Sequence, residues 1–311
     1  MTAPRWTTTE ADLDVTEPYD VGWMTWFLAG HAVPGMETMV DGTYRRSLRL
    51  PHGPAVVSCR LDRRPRRGTS GGRTVLRVVV RTADDRNVPD ALDRMRLLYG
   101  VDVDSADADA VLAADPALAP SVAQAPGIRV PGSVDPSETL LRTMIGQQIS
   151  LGAAATHTAR LVAALGDPVG DDEGAAEHGI VHLFPTPAAV ADSGASVLTG
   201  PTRRITAIAE TARRLADGDV ELHRGRPAPE QEADLLALRG VGPWTARYVS
   251  MRVQGDPDVL LDTDLVVRQG AALLGVDLRE SGRWSPWRSS ASMHLWRVAL
   301  LDRGAYPVAT A

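Results

Sequence analysis

Two kinds of hydrophobic patterning divide the chain. Apolar and polar residues follow strand-like order in "YRRSLRL" (44–50), "AVVSCRL" (55–61) and "TVLRVVVRT" (74–82). "PHGP" between the first two reads as a turn, and "DRRPRRGTSGGR" between the last two as a glycine-rich hairpin loop. Ahead of them, "YDVGWMTWFLAGHAV" (19–33) is apolar enough for a buried helix. Residues 1–16 are polar and are expected to be poorly ordered. "VPDALDRMRLLYG" (88–100) returns to helical spacing, so residues 1 to about 88 read as a small α+β domain.

Beyond that point the spacing is almost wholly helical. "DADAVLAADPALAPSVAQAPG" reads as short helices interrupted by proline, and "DPSETLLRTMIGQQISLGAAATHTARLVAALG" (135–166) as one or two helices. Asp135 before Pro136 matches an N-cap followed by proline at the first helical position. "DPVGDDEGAAEHG" reads as a loop. "TPAAVADS", "RRITAIAETARRLADG", "PEQEADLLALRG", "PWTARYVSMRVQG", "TDLVVRQGAALLG" and "PWRSSASMHLWRVALLD" follow as further helices. No repeat with a period of about 20 to 50 residues is visible.

Composition narrows the chemistry. The chain has 311 residues, 44% of them hydrophobic, which suits one large domain or a few small ones. No apolar run reaches the roughly 18 residues of a membrane span. The start, "MTAPRWTTTEADLD", lacks the basic and apolar regions of a signal peptide, so the expected location is the cytoplasm. The single cysteine, Cys59, excludes an internal disulfide, a four-cysteine zinc site and an iron–sulfur cluster. Its place in "AVVSCRL" reads as a core strand position. The net charge of −6 speaks against coating nucleic acid non-specifically, but not against a small basic footprint. All 33 basic residues are arginine, so no lysine ε-amine exists to form a Schiff base.

"LRGVGPWTARYVSMR" (238–252) sets Gly240 and Gly242 around Val241 between two helical stretches. Glycine brings bare backbone close to another surface and adopts positive φ. The free N–H groups opening the next helix then make a seat for phosphate. By itself the string also reads as an ordinary turn between two helices.

The fuller order of Leu238, Gly240, Val241, Gly242 and Ala246 resembles the helix-hairpin-helix of DNA repair glycosylases, where an aspartate follows at about the distance of Asp264. "PWTARYVSMR", "DTDL" and "PWRSSASMHLW" together resemble the AlkA-type bacterial 3-methyladenine DNA glycosylase II family. So do "EPYDVGWMTWFLAGHAVPGMETMVDGTYRRSL" and "PGSVDPSETLLRTMIGQQIS", in that family's order over nearly all the chain after residue 16. The resemblance implies an α+β N-terminal domain over residues 1–88, an antiparallel sheet with helices. A mostly α-helical glycosylase core of two subdomains is implied after it. One is residues 126–257, with the wedge and the hairpin. The other is residues 89–125 with 258–311, carrying the catalytic aspartate.

Residue by residue, the resemblance implies that Asp264 is the catalytic carboxylate, stabilising the positive charge that builds on the sugar as the N-glycosidic bond breaks. The competing reading makes it a cap for the following helix, a role expected instead of Asp262. Asp262 stands where the family commonly has proline and brings a second carboxylate near the site. Trp244, Tyr248, Trp296 and Phe27 match pocket aromatics that would stack on an electron-poor methylated purine. Leu265 stands where the family has an aromatic and makes one pocket wall aliphatic. Gly240, Gly242 and Thr245 match the phosphate-binding hairpin. The carbonyls of Leu236, Leu238 and Val241 match a structural Na⁺ or K⁺ site, with no other cofactor required. Gln148 matches the residue inserted into the stack when a base is flipped. Trp244 occupies the position of the lysine that cuts DNA in bifunctional relatives.

The implied activity is monofunctional excision of alkylated purines from double-stranded DNA by a monomer. Two other readings stay open: excision of another lesion such as hypoxanthine, and a non-catalytic lesion-binding module. With no sensor segment read ahead of the glycosylase region, any adaptive response is expected to come from gene control. Weaker signals are "RRPRR" (63–67), read as a solvated hairpin tip, and Arg203 and Arg204, which open a helix on the expected DNA side. His178 and His182 have zinc-like spacing but no third ligand, and "GTSGGR" lacks the lysine of a phosphate loop.

Overall fold

The computed structural model describes residues 5–65, 72–170 and 173–306. Its N-terminal part is a five-stranded antiparallel sheet with one helix inserted. The elements are β1 (Thr7–Asp14), α1 (Val21–His31), β2 (Glu37–Val40), β3 (Thr43–Leu50), β4 (Gly53–Pro65) and β5 (Gly72–Thr82), with strand order β1-β5-β4-β3-β2.

Three of these strands follow the hydrophobic pattern; two do not. Residues expected to be poorly ordered form β1, paired with β5 from Thr7 opposite Thr82 to Asp14 opposite Val75. Its apolar pattern is weak because it is an edge strand whose one buried residue is Leu13. Threonines and cross-strand ion pairs supply the rest: Glu10 to Arg77 at 2.7 Å and Asp12 to Arg64 at 2.6 Å. β2 is only four residues long and was not legible. The β4–β5 hairpin runs to Pro65 opposite Gly72. Arg63 and Arg64 are therefore strand residues paired with Glu17 and Asp12 rather than part of a hairpin tip. Arg66, Arg67 and most of the glycine-rich stretch lie outside the described residues.

The helices that follow are α2 (Val88–Tyr99), α3 (Ala106–Ala113), α4 (Ala119–Gln124), α5 (Pro136–Ile145), α6 (Leu151–Leu165) and α7 (Glu173–Glu177). After them come α8 (Pro187–Val197), α9 (Thr202–Ala216), α10 (Ala228–Leu236), α11 (Pro243–Val249), α12 (Leu265–Leu273) and α13 (Arg288–Asp302). Asp135 caps α5 by accepting from the Glu138 amide at 2.9 Å, with Pro136 opening the helix. The stretch 135–166 is thus two helices, broken at Gly146–Ser150. The short α7 lies in a segment read as loop. His182 joins an isolated bridge to Pro168, and no cluster of metal-ligating side chains occurs among the described residues.

Three large apolar cores and two smaller ones result among the described residues. The first packs Val57, Cys59, Leu76, Val78 and Val80 of the sheet against Met95, Leu98 and Tyr99 of α2. Cys59 sits in it at 1% exposure, and burial pushes its thiol well up from the ordinary value. The second joins Trp23 and Phe27 of α1 to Leu112, Val122, Val267, Met293 and Leu295. The third holds α5, α6, α8, α9, α10 and α11 through residues such as Leu140, Leu161, Val190, Ile208, Leu235 and Val249. Helices α12 and α13 cross so closely that a Cβ on Gly270 would lie 2.0 Å from the Leu295 carbonyl oxygen. A cleft opens between the second and third cores, walled by α1, α5, α11, α12 and α13.

Candidate active site

The turn after α10 depends on two glycines for different reasons. Gly240 has φ of 78°, and a Cβ there would meet the Ala207 Cβ at 3.0 Å. Gly242 is extended and exposed, and a Cβ on it would meet nothing within 4 Å. It caps α11, with Pro243 as the first helical residue. Gln147, which the sequence reading passed over, ties this turn to the α5–α6 loop. Its Nε2 donates to the Gly240 carbonyl at 3.0 Å and to the Thr245 Oγ1 at 2.9 Å. Arg204 Nη1 donates to the Gln147 carbonyl at 3.0 Å and Nη2 to that of Thr199 at 3.3 Å. Thr245 therefore uses its buried hydroxyl internally, and its amide belongs to the opening turn of α11. Gln148 is exposed on the same loop at φ of 61°.

Asp264 lies at the start of α12, across the cleft from this turn. Capping and cleft placement coincide in this one residue. Its Oδ1 accepts the Val266 and Val267 amides at 2.8 and 3.0 Å, capping the helix. Trp296 Nε1 donates to the same oxygen at 2.9 Å, and Trp244 Nε1 donates to Oδ2 at 2.8 Å. Every partner is a donor, so both oxygens act as acceptors, with Oδ2 the less crowded. The capping role expected of Asp262 thus belongs to Asp264. Asp262 instead pairs with Arg247 Nη1 at 2.6 Å, which neutralises the extra carboxylate.

Aromatic rings extend from this carboxylate along the cleft. Trp244 stacks on Tyr248 with centroids 5.3 Å apart and planes 6° from parallel. Trp296 tilts toward Tyr248 at 6.1 Å. Phe27, from α1, stacks on His31 at 4.0 Å. All five rings line one cavity of about 1460 Å³ that also reaches Gly240, Gly242, Gln148 and Asp264. Leu265 lies at its rim. It belongs to the lining of the cavity and is 78% exposed there, so it borders the open mouth of the cleft. Leu236, which the resemblance places on a cation through its carbonyl, is also an exposed side chain, while Leu238 and Val241 are buried.

The back of the cleft is ionic. Arg142 of α5 bonds Glu37 and Glu138, and Arg46 of β3 bonds the same two carboxylates. Burial alone would raise Glu37, but Arg142 and Arg46 outweigh it and hold the carboxyl well below the usual range. Tyr44 donates to Glu37 at 2.7 Å. This network fastens the sheet to the helix that leads into Gln147 and Gln148. Arg252 is the other residue missed by sequence reasoning. Its only sequence signal is the spacing of four from Tyr248, which is also ordinary helix spacing.

Hairpin, capped aspartate and aromatic cleft, mounted beside an antiparallel sheet, make the fold that of the helix-hairpin-helix glycosylases. The solved 3-methyladenine DNA-glycosylase from Archaeoglobus fulgidus superposes with a TM-score of 0.75 at 20% identity, covering 94% of this chain and 98% of that one. The 8-oxoguanine glycosylase/lyase of Clostridium acetobutylicum, in complex with double-stranded DNA, superposes with a TM-score of 0.68 at 16% identity, covering 98% and 100%. The AlkA N-terminal domain model matches residues 10–135.

Over 284 residues the chain is 30% identical to DNA-3-methyladenine glycosylase 2 of Escherichia coli, covering 90% of this chain and 94% of that protein. The chain belongs to this AlkA family of DNA-3-methyladenine glycosylases. It is also 39% identical over 290 residues to a probable bifunctional transcriptional activator/DNA repair enzyme AlkA of Mycobacterium tuberculosis. That match covers 91% of this chain and 56% of that longer relative, so the chain spans little more than half its length.

Proposed function

We propose that this protein is a monofunctional DNA glycosylase that removes alkylated purines, such as 3-methyladenine and 7-methylguanine, from double-stranded DNA. The observation that carries the reading is the Asp264 carboxylate, gripped by Trp244 and Trp296 on the wall of an aromatic cleft. Methylation at a ring nitrogen makes the base a good leaving group, so the protein need not supply a strong acid. What it must stabilise is the positive charge left on the sugar. The C1′–N electron pair departs with the base, water adds to C1′, and its proton passes to the carboxylate.

The hairpin and the loop opposite deliver the nucleotide. Gly240, Gly242 and the Thr245 amide seat a backbone phosphate, and exposed Gln148 fills the space left in the stack by the flipped base. Main-chain carbonyls of Leu236, Leu238 and Val241 would hold a Na⁺ or K⁺, which would supply positive charge to the phosphate seat. The donor set fits, being neutral hard oxygens; the Leu238 carbonyl accepts the Val241 amide at 3.2 Å and keeps a second lone pair. With no lysine in the chain and Trp244 beyond the turn, the abasic site is left uncut. Among the described residues no helix is long and apolar enough to cross a membrane. The reading has the chain act as a monomer on DNA.

The test is chromatography of bases released from dimethyl-sulfate-treated DNA, followed by alkali to reveal uncut abasic sites. Methylpurine release by the wild type, and its loss in Asp264→Asn, is the expected result. Tight binding without release at enzyme excess would favour a non-catalytic lesion binder. Strand breaks before alkali would overturn the monofunctional assignment.

A further inference from the structure

Gln148 carries a backbone conformation that its own side chain disfavours. Among the described residues only Asp41 and Gln148 have positive φ without being glycine, at 50° and 61°. Asp41 is accounted for: with Gly42 it makes the two-residue turn between β2 and β3, a place where that conformation is usual. Gln148 lies in no hairpin between strands. A long side chain in the left-handed region persists only where its surroundings impose it, and such residues gather at functional sites.

What imposes it is a clamp on the residue before. The Gln147 side chain is anchored at the hairpin, where Nε2 donates to the Gly240 carbonyl and the Thr245 hydroxyl. Its main-chain carbonyl is anchored from another side by Arg204 Nη1 at 3.0 Å. That carbonyl belongs to the peptide plane joining Gln147 to Gln148, and the plane turns with φ of Gln148. Holding the plane at its oxygen and Gln147 at its side chain therefore fixes how Gln148 leaves the loop. Room for the guanidinium is built in: Gly200 has φ of 127°, and a Cβ there would lie 2.5 Å from Arg204 Nη2. Gln147, Gln148, Gly240 and Thr245 all line the same cleft.

We infer that Gln147 and Arg204 are positioning residues that hold Gln148 ready for insertion before DNA arrives and couple it to phosphate seating at the hairpin. The inference rests on the glycosylase reading and adds to it. Gln147 touches two of the residues assigned to the phosphate, Gly240 and Thr245, so engagement of the backbone there is passed to the loop that fills the stack. A loop already in the competent form avoids the loss of affinity that a rarely populated form incurs.

Gln147→Met and Arg204→Met remove the two anchors and keep a long side chain. Each is made in the full chain, alone and together with Gln148→Gly. Single-turnover methylpurine release from dimethyl-sulfate-treated duplex is measured beside thermal unfolding. If the unclamped loop is competent about a tenth of the time, release falls about tenfold in each single Met variant. In a duplex with 2-aminopurine beside a single 7-methylguanine, the unstacking signal falls in step. Glycine at 148 has no side chain to insert and enters the left-handed region freely. Adding either Met substitution to Gln148→Gly is therefore expected to change its rate less than about twofold. Unchanged release in the folded single Met variants overturns the inference. So does the same tenfold fall in the Gln148→Gly background, which would show the two side chains acting by another route. Should Gln147→Met unfold, Arg204→Met and its Gln148→Gly pair decide. Either overturning result leaves the glycosylase reading standing, whereas a wild type that releases no methylpurine defeats that reading and the inference with it.

Discussion

Trp244 Nε1 lies 2.8 Å from Asp264 Oδ2, a bond that joins the first turn after the hairpin to the cap of α12 across the cleft. It links the part of the protein assigned to grip DNA with the part assigned to the chemistry.

That bond makes a clean substitution possible. Trp244→Phe keeps a ring to stack on Tyr248, loses the donor and gives up part of the indole surface. Hydrogen bonds to charged groups are worth about 1.5–3 kcal/mol, so base release is expected to fall roughly 10- to 100-fold with little change in melting temperature. Single-turnover rates beside thermal unfolding check this; an unchanged rate would remove the indole N–H from the mechanism.

Asp264 has two duties that different replacements separate. Asparagine is a good N-cap, so Asp264→Asn should keep the fold within about 1 kcal/mol while base release falls by about 10²–10³. Asp264→Ala loses the cap as well and should cost about 1 kcal/mol more in denaturant unfolding. Equal stability of the two variants would deny the cap its energetic role.

The two hairpin glycines should fail differently. Gly240→Ala forces a side chain into φ of 78° against Ala207, so a loss of about 1–2 kcal/mol in stability is expected. Gly242→Ala meets open space in the free protein and should leave the melting temperature nearly unchanged. Its Cβ occupies the surface assigned to phosphate, so DNA binding by fluorescence anisotropy should weaken about tenfold or more. Full affinity in Gly242→Ala would move the phosphate elsewhere.

Gln148 tests the wedge without disturbing the core. It is exposed at φ of 61°, a conformation glycine adopts freely. In Gln148→Gly, relief of that strain and the entropy cost of glycine oppose each other, so stability should stay within about 1 kcal/mol. Base release should drop at least about tenfold, together with the fluorescence signal of an unstacked 2-aminopurine beside the lesion. A normal flipping signal would show that another residue fills the stack.

His294 should set part of the acid limit of the fold. It is fully buried, and burial followed by the Arg297 charge pushes it down to about 3. In the unfolded chain an ordinary histidine takes up its proton near pH 6.5. Its contribution to stability is therefore complete above about pH 6.5 and is lost as pH falls toward 3, by up to about 1.4 kcal/mol per pH unit. Unfolding free energies at several pH values should show a slope shallower by about one proton in His294→Gln. An identical slope would place the acid sensitivity in other groups.

Particular residues show where the sequence was readable. β3, β4 and β5 announce themselves because each buries apolar residues in order. β1 has too little apolar area to stand out, and its strand state comes from pairing with β5. Asp264 was singled out by the family resemblance, but its capping was assigned to Asp262 two residues earlier. Arg247 decides that point, since the carboxylate it pairs with is no longer free to cap, and its position opposite Asp262 follows from the helix turn.

Residue type and order alone determined the α+β-then-helical plan and the glycine turn, because those depend on local periodicity and on glycine and proline at set positions; the family and the place of Asp264 in it came from the resemblance of several motifs in one order. Only the tertiary structure decided which side chains share the cleft. Phe27 and Arg252 stand 225 positions apart in the chain, and their stacking depends on α1 leaving the sheet to join a helical core. Contacts of that range follow from packing across elements, which no local pattern of hydrophobic and polar residues encodes.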